Sequence, residues 1–314
     1  DLHSFPTRRS SDLAMDVVGT YPEPEAQSLE ALLAAELDIP QNNIMVTAGA
    51  TEAIYLVAQL CRGWSSVIPQ PTFNEYADAC KMHGHIVSYY DTDDMEVLPE
   101  SNRLYWLCNP NNPTGNVMLK ALMSHVIREH RNYTFVVDQS YEGYTMKGML
   151  QPREMLDCHN LILLHSMTKQ YAIPGLRIGY VVASAKLIAT LRSNYRPWAV
   201  NALAVEAGKY LLRLNPPLIP SLDTCLQETQ RLRQALSCLA GIDCADTQTN
   251  FFLCTIHPHT AAELKDYLAR EHRILIRDAS NFRGLTPHHF RIATQSPEEN
   301  DALVAAITQF LQQR

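Results

Sequence analysis

From residue 27 onward the apolar positions change period repeatedly. SLEALLAAEL (28–37) places its leucines at helical spacing, NIMVT (43–47) is a short apolar run, and TEAIYLVAQL (51–60) is helical again. SSVI (65–68) reads as a strand, and FNEYADACKMHG (73–84) as a helix closed by Gly84. HIVSYY, RLYWLC, YTFVVD, LILLHS and RIGYVVA are further short apolar strands, and VMLKALMSHVIREH between two of them has helical periodicity. Strands that trade places with helices in this way predict repeated βαβ units and a mostly parallel, buried sheet up to about Pro197.

Beyond Pro197 the pattern changes. ALAVEAGKYLLRL (202–214) and SLDTCLQETQRLRQALSCLA (221–240) are long helical stretches separated by the breaker Asn215-Pro216-Pro217. Strand NFFLCTI, helix TAAELKDYLAREH, strands RILIRD and HFRIAT and a final helix follow, the last capped by Ser296 with Pro297 in its first turn. The fold class expected is α/β: a large domain over 15–205, with a mostly parallel sheet between helices, and a smaller α+β C-terminal domain over 206–314. Residues 1–14, rich in Ser and Arg and without either period, read as a disordered or spurious tail in place of the native beginning.

Composition narrows the function classes. The 314 residues are 46% hydrophobic and 19% charged, which excludes a disordered or fibrous chain. A net charge of -7 with no basic run beyond Arg8-Arg9 argues against nucleic acid, and no apolar stretch approaches a bilayer span, so a cytoplasmic protein with a small-molecule partner and no membrane contact is expected. Eight cysteines without a Cys-x-x-Cys pair read as buried free thiols, and the paired histidines lack carboxylate or Cys partners at ligand spacing, so no metal is expected.

The chemistry gathers where strands end. In SMTKQYAIPGLR (166–177), Lys169 follows an apolar strand directly, a placement from which an amine can form a Schiff base, while Ser166 and Arg177 offer a hydroxyl and a guanidinium to a phosphate. The tripeptide alone would read as a polar loop; the whole stretch does not. Asp138 ends the strand YTFVVD, where a carboxylate needs a positive partner such as a protonated pyridine nitrogen, or else serves as a turn or cap residue. Tyr141 and Asn112, the latter in NPNNPTG (109–115), can hydrogen-bond a phenolic oxygen on the same ring. Ala50 and Thr51 open a helix whose amides form a phosphate cradle, and Phe73 is either a stacking platform or a core aromatic.

Taken together these segments resemble the fold-type I pyridoxal-phosphate enzymes, the class I/II aminotransferase superfamily, over residues 17 to 313. The resemblance implies that Lys169 holds pyridoxal 5'-phosphate covalently, that Asp138 meets its ring nitrogen and that Asn112 and Tyr141 meet its ring oxygen. It also implies stacking by Phe73, phosphate binding by Ala50, Thr51, Ser166 and Arg177, and a substrate carboxylate on Arg291. Tyr21 of GTYPEP would reach the phosphate of a neighbouring subunit, hence a homodimer with shared active sites. Within the superfamily, TKQYAIPGLRIGY, RPWAVNALAVEAG and ILIRDASNFRGL are similar to the L-threonine-O-3-phosphate decarboxylases of cobalamin biosynthesis, in which Arg277 would help bind the substrate phosphate.

Three functions follow from that resemblance: decarboxylation of threonine phosphate, transamination of a phosphorylated amine as in the histidinol-phosphate aminotransferases, or a regulator or inactive fragment on the same fold. The chain departs from the family pattern at Ala48, where Asn is common, and at Gln139-Ser140, where Glu-Ala is common. Both changes read as peripheral. The relatives' amino-terminal segment, with a Gly-containing active-site strand, has no counterpart here, which would weaken substrate binding.

Overall fold

A strand that is apolar at every position has no face to turn to water, and it folds into a sheet covered on both sides. The computed structural model describes residues 15–91, 103–214 and 221–312; the expected tail at 1–14 and breaker at 215–217 lie outside them. A seven-stranded sheet is built from β1 (Ile44–Thr47), β2 (Ser65–Gln70), β3 (Ile86–Asp91), β4 (Arg103–Cys108), β5 (Thr134–Asp138), β6 (Leu161–His165) and β7 (Gly179–Ala183). Their order is β1-β7-β6-β5-β4-β2-β3. Neighbours from β3 to β6 are parallel. β7 runs antiparallel to both β1 and β6, because only the one-turn helix α5 (Met167–Gln170) and a further short turn separate it from β6.

Alternate residues of the central strands divide between two apolar layers. Val46, Val137, Leu163 and Val182 meet Leu29 and Leu33 of α1 (Gln27–Leu37), Met123 and Ile127 of α4 (Lys120–Glu129) and Ala204 of α7 (Ala202–Leu214). Met45, Val136, Ile162 and Val181 meet Ile54 and Val57 of α2 (Ala50–Leu60), Tyr76 and Ala79 of α3 (Glu75–Met82) and Ile188 and Leu191 of α6 (Ala185–Arg192).

The second sheet is antiparallel, in the order β10-β11-β9-β8, from β8 (Ile242–Cys244), β9 (Phe251–Ile256), β10 (Arg277–Asp278) and β11 (His289–Ala293). One face, with Phe252, Cys254, Ile256, Phe290 and Ile292, packs on α8 (Leu222–Ser237), α9 (Ala261–Tyr267) and α10 (Pro297–Gln312). The period of two therefore turns Phe251, Leu253 and Arg291 to the opposite face. Ser296 caps α10 as its sequence position implies, its Oγ accepting from the Glu299 amide at 3.3 Å.

Two expectations change, and one short strand, β8, had no expectation at all. Of RILIRD only Arg277–Asp278 pairs as a strand: α9 ends in a wide π-type turn, Leu268–His272, and Arg273 is left-handed at φ 58°, so residues 273–276 are used to bring the chain back to the sheet. β8, three residues long, is too short to carry a period. The cysteines are all free, but Cys238 is exposed and Cys108, Cys225 and Cys244 are only partly covered. Among the described residues no helix is long and apolar enough to cross a membrane, and no three His, Cys, Asp or Glu gather as a metal-ligand group.

One ion pair ties the first helix to the sheet edge. The buried Glu30 carboxylate accepts from the Val46 amide at 3.0 Å and from Arg192 Nη2 at 2.7 Å, and Arg192 also donates to the Ile44 carbonyl at 2.8 Å and pairs with Glu25. Burial pushes the Glu30 carboxyl up from its ordinary value while the guanidinium opposes the shift. Arg192→Ala leaves that carboxylate buried without its cation, and a stability loss of about 3–5 kcal/mol is expected in urea denaturation at neutral pH. The loss should shrink as the pH is lowered, because protonation of Glu30 removes the uncompensated charge; an unchanged urea midpoint at neutral pH would contradict this account.

Candidate active site

The strand order brings many polar segments to one edge. β1, β2, β4, β5 and β6 all end there and β7 begins there, as the registers Thr47↔Gly179, His165↔Tyr180, Cys108↔Asp138 and Asp138↔Leu164 require. The residues that follow or precede those ends surround a cavity of about 140 Å³. Ala50, Thr51, Phe73, Asn112, Asp138, Tyr141, Ser166, Lys169 and Arg177 all line it, and so do Cys108, Ser140 and Thr168. Lys169 Nζ stands 5.7 Å from the centre of the Tyr141 ring, and its backbone carbonyl accepts from the Tyr144 hydroxyl at 2.8 Å.

Asp138 is only 4% exposed, so its charge must be met by donors. Oδ1 accepts from the Ser140 amide at 2.9 Å and the Ser140 hydroxyl at 2.6 Å, and Oδ2 from the Tyr76 hydroxyl at 2.7 Å. Burial, reinforced by the neighbouring carboxylate, holds the Tyr76 phenol well above its ordinary pKa, so it remains a donor. Burial likewise pushes the Cys108 thiol up to about 12, which keeps it uncharged beside Asp138. Ser140, read from the sequence as peripheral, is thus at the centre of the site. Gln139 is fully buried too, its Nε2 donating to Glu142 and to the Leu150 carbonyl, both at 3.1 Å.

At the other end of the cavity α2 begins after Gly49, at φ +85°, and no side chain caps it. A Cβ on Gly49 would lie 2.7 Å from Arg177 Nη2, so only glycine lets the guanidinium lie against this helix start. Ser166 Oγ, beside the same opening, is hydrogen-bonded to Thr168 Oγ1 at 2.7 Å. Uncapped amides, hydroxyls and a guanidinium at one end, a buried carboxylate at the other and an amine between them fit pyridoxal 5'-phosphate: a phosphate, a ring nitrogen that carries a proton, and a carbonyl.

The second sheet approaches this cavity through Arg291, which does not line it but bonds Asn112, which does. Arg291 Nη1 donates to Asn112 Oδ1, its guanidinium lies 5.0 Å from the Phe251 ring centre, and Phe251 meets Tyr141 edge-on at 4.9 Å. Arg291 Nε is buried with no hydrogen-bond partner among the described residues. Arg277 stands directly opposite Arg291 on β10 but does not line the Lys169 cavity; its Nη2 donates to Asn281 Oδ1 at 3.0 Å. Tyr21 is also outside the cavity, 89% exposed, with its ring 6.0 Å from that of Trp198. Tyr76, Tyr144 and Thr168 went unread in the sequence. Tyr76 lies three residues after Phe73, one helical turn on, which was the available signal.

Residues 7–307 match the protein family described as aminotransferase class I and II. The fold superposes on the crystal structure of L-threonine-O-3-phosphate decarboxylase from Porphyromonas gingivalis with a TM-score of 0.93 and 39% identity, covering 96% of this chain and 93% of that one. In sequence the chain is 28% identical to the threonine-phosphate decarboxylase of Salmonella typhimurium, over 95% of this chain and 85% of the relative. It is 31% identical to the histidinol-phosphate aminotransferase of Thermoanaerobacter pseudethanolicus, over 94% of this chain and 85% of the relative.

The loop that carries Asn112 is clamped to the second sheet: the Gln248 amide donates to the Gly115 carbonyl at 3.1 Å, and Gln248 Oε1 accepts from the Val117 amide at 2.7 Å. Gly115 has φ +76°, and a Cβ there would overlap Thr247 Oγ1 and lie 2.6 Å from the Phe251 carbonyl oxygen. Gly115→Ala should therefore cost about 2 kcal/mol or more and lower the thermal midpoint by several degrees. A midpoint equal to the unsubstituted protein's would show that the loop and the sheet are not held together in this way.

Proposed function

The chain belongs to the class I and II aminotransferase family, and from that premise we propose that it is a pyridoxal-phosphate-dependent decarboxylase of L-threonine O-3-phosphate, yielding aminopropanol phosphate for cobalamin biosynthesis. The observation that carries this reading is the pair Arg277 and Arg291, in register on adjacent strands and both lining a cavity of about 460 Å³ that shares no lining residue with the Lys169 cavity and is linked to it by the bond from Arg291 to Asn112. Two guanidiniums so placed suit the two anionic groups of one small substrate. The unpartnered Nε of Arg291 supports the same reading, since a buried donor with no acceptor favours an incoming anion.

In this reading residues 15–205 hold the cofactor and residues 206–314 bring the arginines to it. Ala50, Thr51, Ser166 and Arg177 would hold the cofactor's phosphate, Asp138 its ring nitrogen, Asn112 and Tyr141 its ring oxygen, and Phe73 its ring face. Lys169 would hold it through Nζ and afterwards return a proton to the substrate's α-carbon from the same atom. When bound, pyridoxal phosphate supplies an electron-accepting ring that stabilises the negative charge left at that carbon when a bond breaks. The protein chooses the bond: Arg291 on the carboxylate and Arg277 on the substrate phosphate would turn the carboxylate perpendicular to the ring. The exposed Tyr21 would complete the phosphate site of a second copy, making a homodimer, and the enzyme would work in the cytoplasm.

The 31% identity to a histidinol-phosphate aminotransferase favours one other reading, in which the same arginines serve a phosphorylated amine and then an amino-acid carboxylate in turn. Release of carbon dioxide from threonine phosphate with no 2-oxo acid present is the expected result for the loaded protein. Conversion of histidinol phosphate that depends on a 2-oxo acid, with no carbon dioxide from threonine phosphate, would give the site to transamination instead. For Lys169→Ala, borohydride reduction should attach no pyridoxyl group and turnover should fall about a thousandfold or more, with the fold retained. A pyridoxyl group recovered on another lysine would overturn the assignment.

A further inference from the structure

A carboxylate offers about four lone pairs to hydrogen-bond donors. At Asp138 three are already taken by the described residues. Two of them, on Oδ1, accept from the amide and hydroxyl of Ser140 at 2.9 and 2.6 Å, and the third, on Oδ2, accepts from Tyr76 at 2.7 Å. One lone pair is left, on Oδ2, and the cavity that holds Lys169 is lined by Asp138 and Ser140 together. We propose that Ser140 and Tyr76 are positioning residues of the reaction, which lock the Asp138 carboxylate about its Cβ–Cγ bond and reserve that last lone pair for the ring nitrogen of the cofactor. The proposal rests on the cofactor reading above.

Neither donor is free to leave. Ser140 is tied to the same oxygen twice, by backbone and by side chain, and the amide bond holds the turn after β5 so that the hydroxyl stands within reach of Oδ1. Tyr76 is fully buried. Its ring stacks on Trp106 at 5.3 Å with 17° between planes, and Phe73 meets it edge-on at 5.7 Å. Trp106 is held in turn: its Nε1 donates to Ser66 Oγ at 3.4 Å, and Ser66 Oγ bonds His85 Nδ1 at 2.8 Å. The column from His85 to Tyr76 therefore fixes the position from which the Tyr76 hydroxyl donates its hydrogen bond to Oδ2.

The chemical consequence is a division of one proton. Donors to a carboxylate favour its charged form, so each O–H on Asp138 makes the carboxyl a poorer owner of the proton it shares with a ring nitrogen. A ring nitrogen that keeps its proton withdraws electrons more strongly, and this withdrawal drives the chemistry. Removing the Ser140 hydroxyl should let the carboxylate rotate and retain more of that proton. A purely structural hydroxyl would alter stability and leave the proton where it was.

The test uses the full-length protein loaded with pyridoxal phosphate labelled with ¹⁵N in the ring, comparing the unsubstituted protein with Ser140→Ala and Tyr76→Phe. Each substitution deletes one oxygen atom. The ring ¹⁵N shift should move towards that of an unprotonated pyridine in both variants, cofactor affinity should fall about five- to tenfold for each lost bond, and kcat should fall while KM for threonine phosphate stays within twofold. Should Tyr76→Phe not fold, Ser140→Ala carries the test alone. An unchanged ¹⁵N shift and affinity in Ser140→Ala would overturn the proposal while leaving the cofactor reading intact. If the unsubstituted protein takes up no cofactor at Lys169, the cofactor reading fails and this proposal fails with it.

Discussion

An ionised carboxylate buried at the end of a sheet strand costs several kcal/mol unless hydrogen-bond donors surround it. Much of this molecule is arranged around meeting that cost at Asp138. The turn after β5 must curl tightly enough for Ser140 to donate twice, and α3 must lie close enough for Tyr76 to reach Oδ2. Tyr76 is at the same time part of the apolar layer between the sheet and α2, α3 and α6. The hydrophobic core and the candidate site thus share a side chain, and a shift of α3 that would loosen one would disorder the other.

A second constraint joins the two sheets. Their contact is made of polar and aromatic groups: Asn112 on Arg291, Tyr141 on Phe251, and the backbone of the 109–115 loop against residues 247–251. Directional contacts of this kind set a distance and an angle more narrowly than aliphatic packing does. They place a guanidinium carried by the second sheet at a defined position relative to an amine carried by the first, and the proposed chemistry rests on that relation.

The elements of the large sheet were legible because apolar period is a local property, and even the short strands stood out where polar turns bounded them. RILIRD was overread for the same reason: an apolar run does not distinguish a paired strand from a chain crossing a turn. Most of the candidate site was legible too. Lys169, Asp138, Asn112, Ser166 and Arg177 each lie within a few residues of a strand end, and a sheet that is mostly parallel sends such ends to one edge.

What the sequence by itself determined was therefore which segments become strands and which polar groups stand at their ends, since both follow from backbone geometry over a few residues. Only the tertiary structure decided which of those groups meet. Tyr76 and Asp138 are 62 residues apart, and nothing near either one names the other. Ser140 gained its role from a turn angle, and Arg291 faces Asn112 because the opposite face of its sheet is filled by Phe290 and Ile292. Partners at such separation depend on strand order and on packing summed over the whole core, quantities that no local window of residues contains.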